Sequence, residues 1–135
     1  MGVVLSKSDV SAGQLVQVIE AHDGGIPCLG VNDDSTLFAT GGQDGLVRVW
    51  SPRGGEHPAE PLLQLVGHDG RITCIAFCED SILTASIDKT VRRWNIADGR
   101  QLFVCRGHQS VVTRIICTGY FIFSCESRFI DYTYT

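Results

Sequence analysis

Gly67–Ile96 reads GHDGRITCIAFCEDSILTASIDKTVRRWNI. Three short runs rich in apolar and β-branched residues stand out in it, Ile72–Phe77, Ile82–Ala85 and Val91–Asn95, with the turn-forming Gly70 ahead of the first and Asp80 and Asp88 between them. Such a pattern, with a period of two and no helical period, predicts three consecutive antiparallel strands.

The same pattern occurs on both sides. Upstream, Ala21–Trp50 reads AHDGGIPCLGVNDDSTLFATGGQDGLVRVW; downstream, Gly107–Cys125 reads GHQSVVTRIICTGYFIFSC. His108 follows His68 by 40 residues, and His68 follows His22 by 46, the excess falling in the Pro/Gly-rich stretch SPRGGEHPAEP. Asp44 precedes Trp50 by six residues, as Asp88 precedes Trp94. A fixed period of this size marks a repeat architecture, in which each copy buries its apolar face only by stacking on the next. The copies predict first strands at Ile26–Val31, Ile72–Phe77 and Val112–Cys117, and second strands at Leu37–Thr40, Ile82–Ala85 and Phe121–Ser124. Third strands fall at Val47–Trp50 and Val91–Asn95, and fourth strands at Leu62–Val66 and Leu102–Cys105, with Val16–Ile19 as an orphan fourth strand ahead of His22.

Ala21-His22, Gly67-His68 and Gly107-His108, the runs ending in Asp44 and Asp88, and VRVW and VRRW ending at Trp50 and Trp94 together resemble the WD-repeat β-propeller family. The resemblance covers about residues 15 to 125. It implies an all-β fold, an open arc of two to three four-stranded antiparallel blades, with copies at 22–66, 67–106 and, in part, 107–125. Residues 1–14 are expected to form a flexible leader and 126–135 a tail outside the repeat. The resemblance also implies that His22, Thr40, Asp44 and Trp50, and again His68, Thr84, Asp88 and Trp94, form structural hydrogen-bonded tetrads. A catalytic triad would occur once; this constellation recurs with each copy. Buried polar groups need partners, and a satisfied network fixes how loop and turn dock. No catalytic residue, cofactor or metal ligand is therefore assigned, and the expected function is a non-catalytic protein–protein interaction scaffold.

The resemblance places partner contacts on the rim where loops enter first strands and leave second strands. The positions implied are Gly25, Pro27 and Gln43, then Arg71, Thr73 and Ile87, then Val111 and Thr113. Arg71 beside Ile87 is the strongest candidate, since Arg and exposed apolar groups are typical anchors.

Composition narrows the alternatives. Apolar residues make up 44% and charged residues 19%, and the net charge is −4, so a basic nucleic-acid footprint is absent. No apolar run approaches the roughly 18 residues of a membrane helix, and no secretory signal is evident, so the expected location is cytoplasmic. None of the six cysteines forms a C-x-x-C pair. Cys74 and Cys78, four apart in a strand pattern, would stand about 13 Å apart, too far to share a zinc ion. The cysteines are read as small buried hydrophobes. Asp33–Asp34 and Glu79–Asp80 read as solvated turns, Gly41–Gly42 precedes no helix and is no phosphate cradle, and His57 has no ligand-type partner at useful spacing.

Two features lead elsewhere. Met1-Gly2-Val3-Val4-Leu5-Ser6 fits the N-myristoylation pattern, making Gly2 a lipidation candidate and an acylated membrane adaptor an alternative. One acyl chain binds membranes only marginally. Trp50–Arg53 (WSPR) partly matches the signature by which some propellers dock to cullin-ligase adaptors, which gives a ligase substrate receptor as a further alternative. Finally, an offset of 40 puts Arg128 and Tyr134 where Asp and Trp belong, and ESRFIDYTYT departs abruptly from the repeat. A truncated form of a longer repeat protein is expected, with self-association through its open blade edges and the FIDYTYT tail pairing with the edge of the second strand.

Overall fold

The computed structural model describes residues 2–7, 14–52, 60–127 and 130–134. Among them thirteen strands and no helix form: β1 (Gly2–Lys7), β2 (Gln14–Glu20), β3 (Cys28–Val31), β4 (Phe38–Gly41), β5 (Val47–Trp50), β6 (Leu63–Leu65), β7 (Ile72–Cys78), β8 (Ser81–Ser86), β9 (Val91–Asn95), β10 (Gln101–Cys105), β11 (Arg114–Cys117), β12 (Phe121–Cys125) and β13 (Ile130–Tyr134). They build two four-stranded sheets, β3-β4-β5-β6 and β7-β8-β9-β10, a three-stranded sheet β11-β12-β13, and a two-stranded sheet β1-β2. Every pairing is antiparallel, and no sheet closes on itself. The repeat thus becomes a series of meandering blades, with short turns between β3 and β4, β4 and β5, β7 and β8, and β8 and β9, while residues 51–62 separate β5 from β6.

Local chemistry sets these turns. Asn32 and Asp34 close the β3–β4 turn by accepting the Leu37 and Thr36 amides at 2.8 and 3.0 Å, and Ser35, next after Asp34, adopts a φ of 58°. Glu79 takes a φ of 53° in the equivalent turn of the second blade.

Stacking follows the alternation of side chains across each strand. Ala39, Val47, Val49 and Leu65 of the first blade face Ile72, Ile75, Ile82 and Trp94 of the second. The opposite face of the second blade, with Leu83, Ala85 and Val91, covers Val112, Ile115 and Ile122 of the third. Each Val, Leu or Ile among them stabilises the stack by roughly 1.5–3 kcal/mol when fully buried. The face bearing Phe38 and Trp50, whose rings lie 6.2 Å apart, is covered by Ile19 and Ala21.

Three expectations are corrected. The leader is not uniformly unstructured: Gly2–Lys7 forms β1 and pairs with β2 from Gly2↔Glu20 to Lys7↔Gln14. The segment expected as an orphan fourth strand is therefore one arm of a hairpin. Cys78 and Cys117 are not merely small hydrophobes, since their sulfurs form a disulfide that ties β7 to the third blade, with Cα atoms 5.8 Å apart. Cys28, Cys74, Cys105 and Cys125 remain thiols. Burial, with Cys74 beside it, pushes the Cys28 thiol up to about 12.

Candidate functional site

In the second blade the tetrad is complete. The Trp94 indole donates to Thr84 Oγ1 at 2.8 Å, and His68 Nε2 lies 2.7 Å from that hydroxyl. His68 Nδ1 lies 2.8 Å from Asp88 Oδ2. A carboxylate can only accept, so Nδ1 carries the proton and Nε2 accepts from Thr84. Asp88 also accepts from the Asp69 amide at 3.1 Å and from the Thr90 amide and hydroxyl at 2.9 and 2.7 Å. Burial disfavours the Asp88 carboxylate, yet hydrogen bonds from Thr90, His68 and the two amides outweigh it and hold its pKa at about 2. Burial also lowers the pKa of His68, against the upward pull of Asp88. The pair is a neutral imidazole donating to a carboxylate, which joins the loop before β7 to the turn after β8.

The first blade repeats the arrangement. Trp50 donates to Thr40 Oγ1 at 3.0 Å, His22 Nε2 lies 2.7 Å from that oxygen, and His22 Nδ1 lies 3.0 and 3.1 Å from the Asp44 oxygens. Although burial opposes it, the Leu46 amide and His22 bring the Asp44 pKa below the ordinary carboxylate value. Arg48, which the repeat pattern did not single out, donates to the Ala21 carbonyl at 2.6 Å and to Asp44 at 3.3 Å, and stands 2.9 Å from His22 Nδ1. Its position four residues after the aspartate, matched by Arg92, was the available signal.

The third blade departs from the expected alignment in two places. Its histidine does meet a hydroxyl, His108 Nε2 lying 2.7 Å from Ser124 Oγ. The carboxylate comes from Glu126, not from the position of Arg128, which lies outside the described residues. Glu126 Oε2 is 3.5 Å from His108 Nδ1 and accepts the Ser110 amide at 2.6 Å, as Asp88 accepts the Asp69 amide. The longer side chain spans from a position two residues earlier. The strand register supplies the second correction. Phe38 pairs with Trp50 and Ile82 with Trp94, but Ile122 pairs with Thr133. Thr133, not Tyr134, therefore stands where the tryptophan would. The tail does pair with the edge of β12, as β13.

The rim residues occupy the loops flanking these networks. Arg71 and Ile87 are exposed, Ile87 at 38%, and the Ile87 amide donates to the Arg71 carbonyl at 3.0 Å, which holds them side by side. Gln43 is exposed and bonded to the Gly25 backbone at both its amide (3.0 Å) and its side chain (3.2 Å). Pro27 and Thr113 are exposed and Val111 half-buried. Thr73 is half-buried, and its hydroxyl donates to the Val112 carbonyl at 2.5 Å, joining blade two to blade three. Gly2 opens β1 opposite Glu20. His57 and Arg53 lie outside the described residues. Among the described residues no group of three His, Cys, Asp or Glu could hold a metal ion, and no helix is long and apolar enough to cross a membrane.

Comparison with known proteins agrees with this geometry. The family described as "WD domain, G-beta repeat" matches residues 13–51 and 59–95, more than half of the chain. WD repeat-containing protein 41 of Mus musculus is 41% identical over 104 residues, covering 70% of this chain and 22% of that protein. The p21-activated protein kinase-interacting protein 1-like of Danio rerio is 39% identical over 85 residues, covering 62% and 22%. The Ribosome biogenesis protein WDR12 homolog of Aedes aegypti is 30% identical over 129 residues, covering 80% and 30%. The chain thus spans less than a third of the length of these relatives. The crystal structure of the computationally designed Ika4 protein superimposes with a TM-score of 0.83 at 27% identity, covering 97% of this chain and 79% of that one.

Proposed function

The chain belongs to the WD-repeat family, and on that premise we propose that it is a protein-binding scaffold whose contact surface is the rim around Arg71 and Ile87. One observation carries the reading. The histidine, hydroxyl and carboxylate groups that would be needed for chemistry are bonded to one another and to tryptophan inside each of the first two blades, so the exposed rim is the surface left for partners. An arginine beside an exposed aliphatic side chain, held together by a backbone hydrogen bond, has the composition of an interface anchor. Thr113 and Gln43 extend the same rim onto the neighbouring blades. The names of the relatives point to quite different settings, a kinase-interacting protein and ribosome biogenesis, which fits a module whose fold is shared and whose rim is not.

The test is quantitative affinity purification of the wild type beside Arg71→Glu/Ile87→Asp. Both side chains are exposed, so the thermal midpoint should stay within a few degrees of the wild type, and partner recovery should drop at least tenfold. Full recovery by the double variant removes the rim from the account.

A further inference from the structure

Between the second and third blades lies a cavity of about 310 Å³, within the usual range for small-ligand pockets. Its walls include Val91, Cys105, Gly107, His108, Ile122 and Ser124. One blade earlier the equivalent residues are Val47, Leu65, Gly67, His68, Ile82 and Thr84, and these surround Trp94. A Cβ placed on Gly67 would meet Trp94 Cη2 at 3.0 Å, whereas one on Gly107 would find no atom within 4 Å. Thr133, which also lines the cavity, holds the strand register of the tryptophan. The nest for an indole is therefore built, and a threonine stands where the indole would start.

The polar end of the nest is intact as well. In the complete blades the hydroxyl beside the histidine accepts the indole N–H, at 3.0 Å for Thr40 and 2.8 Å for Thr84. In the third blade Ser124 Oγ is buried and engaged by His108, and among the described residues no donor takes the place of the indole. Ser124 lines the recess, whose walls are apolar at Val91, Cys105 and Ile122 and polar at Arg106, His108 and Thr133, with Tyr132 beside them.

We propose that this recess is a binding site for an indole ring bearing a free N–H, which donates to Ser124 Oγ while the ring packs between Val91, Cys105 and Ile122. The ring can be a tryptophan side chain of a partner segment or a free indole, since both present the same donor on the same flat bicycle. Neither Arg71 nor Ile87 lines the recess, so it stands or falls independently of the partner surface proposed above.

The test is a titration of the full chain with indole and with N-acetyl-tryptophanamide, followed through the backbone amide signals of Gly107, Ser124 and Thr133. Saturable binding with a Kd on the order of 0.1–1 mM is expected. Tighter binding of N-acetyl-tryptophanamide assigns the site to a tryptophan side chain, and tighter binding of indole to the free compound. 1-Methylindole, lacking the donor, should bind about tenfold more weakly, and Ser124→Ala should erase that difference. Thr133→Trp should fill the recess from within, abolish binding and raise the thermal midpoint. No saturable response to either ligand, or 1-methylindole binding to the wild type as tightly as indole, overturns the proposal without any variant having to fold.

Discussion

Replacing Asp88 with alanine removes one acceptor that serves four donors: His68 Nδ1, the Asp69 amide, and the amide and hydroxyl of Thr90. The His68 side chain is 1% exposed, so its N–H would lose its partner with little access to water, at a cost of about 1–3 kcal/mol. The Asp69 amide belongs to an exposed residue and can turn to solvent, while the amide and hydroxyl of the buried Thr90 each add up to about 1 kcal/mol. The sum is about 3 kcal/mol, a large share of the roughly 5–15 kcal/mol that keeps a domain folded. For a chain of 135 residues this corresponds to a fall of roughly 10 °C in the thermal midpoint. Circular dichroism melting of Asp88→Ala beside Asp33→Ala measures it. Asp33 sits exposed in the β3–β4 turn, and its loss should cost no more than about 0.5 kcal/mol. Equal midpoints for the two variants would refute the network as the support of the blade.

Acid should unfold the protein in two stages. The His68 pKa lies below its ordinary 6.5 in the fold, so its stabilisation is complete above about pH 6.5 and declines below it as the unfolded histidine takes up a proton. Asp88 falls from 3.8 to about 2; its share is complete above pH 3.8 and is lost as the pH drops through about 2, worth roughly 1–2 kcal/mol after solvent screening. Urea midpoints at pH 7.5, 5.5, 4 and 2.5 check the sign of both stages, and a flat series contradicts it. Gly42→Ala should destabilise by about 3 kcal/mol or more, because a Cβ there would overlap His22 and Asp44; a melting curve matching the wild type would count against the packing of this turn. Thiol titration in denaturant should find four reactive cysteines before reduction and six after it, and reduction should cost up to about 4 kcal/mol for a crosslink of separation 39; six thiols at the outset reject the disulfide. Labelling with a clickable myristate should mark the wild type and not Gly2→Ala if the N-terminal pattern is used, and equal absence of label in both removes the acylated alternative.

The blade architecture was legible because its determinants are local and repeated: period-two strands, turn residues and the fixed interval from Asp to Trp. Val47–Trp50 and Val91–Asn95 match their strands to the residue. The hydrogen-bonded sets at His22 and His68 were implied by the family resemblance that the repeated residues carry. The misses share a different cause. Glu126 replaces an aspartate only because a longer side chain compensates for a shorter path, and a rigid offset of 40 passes over it. Thr133 holds the tryptophan register because the β12–β13 pairing, not the residue count, determines which side chains face each other. Cys78 and Cys117 are separated by 39 residues, nearly one repeat period, and the first strands of adjacent blades, β7 and β11, lie against each other. That interval was the signal, and reading each cysteine only within its own strand missed it. Nothing local to Gly2–Lys7 distinguishes a leader from a strand, since its pairing depends on β2.

The central claim is that each complete blade is held by a relay from tryptophan through a hydroxyl and a histidine to a carboxylate. The indole N–H signals of Trp50 and Trp94 in D₂O test it most directly. Both should exchange slowly, being buried and bonded to Thr40 and Thr84. Asp44→Ala should accelerate mainly the first and Asp88→Ala mainly the second. Fast exchange of both indoles in the wild type, or protection that survives loss of the carboxylate in its own blade, would contradict the account.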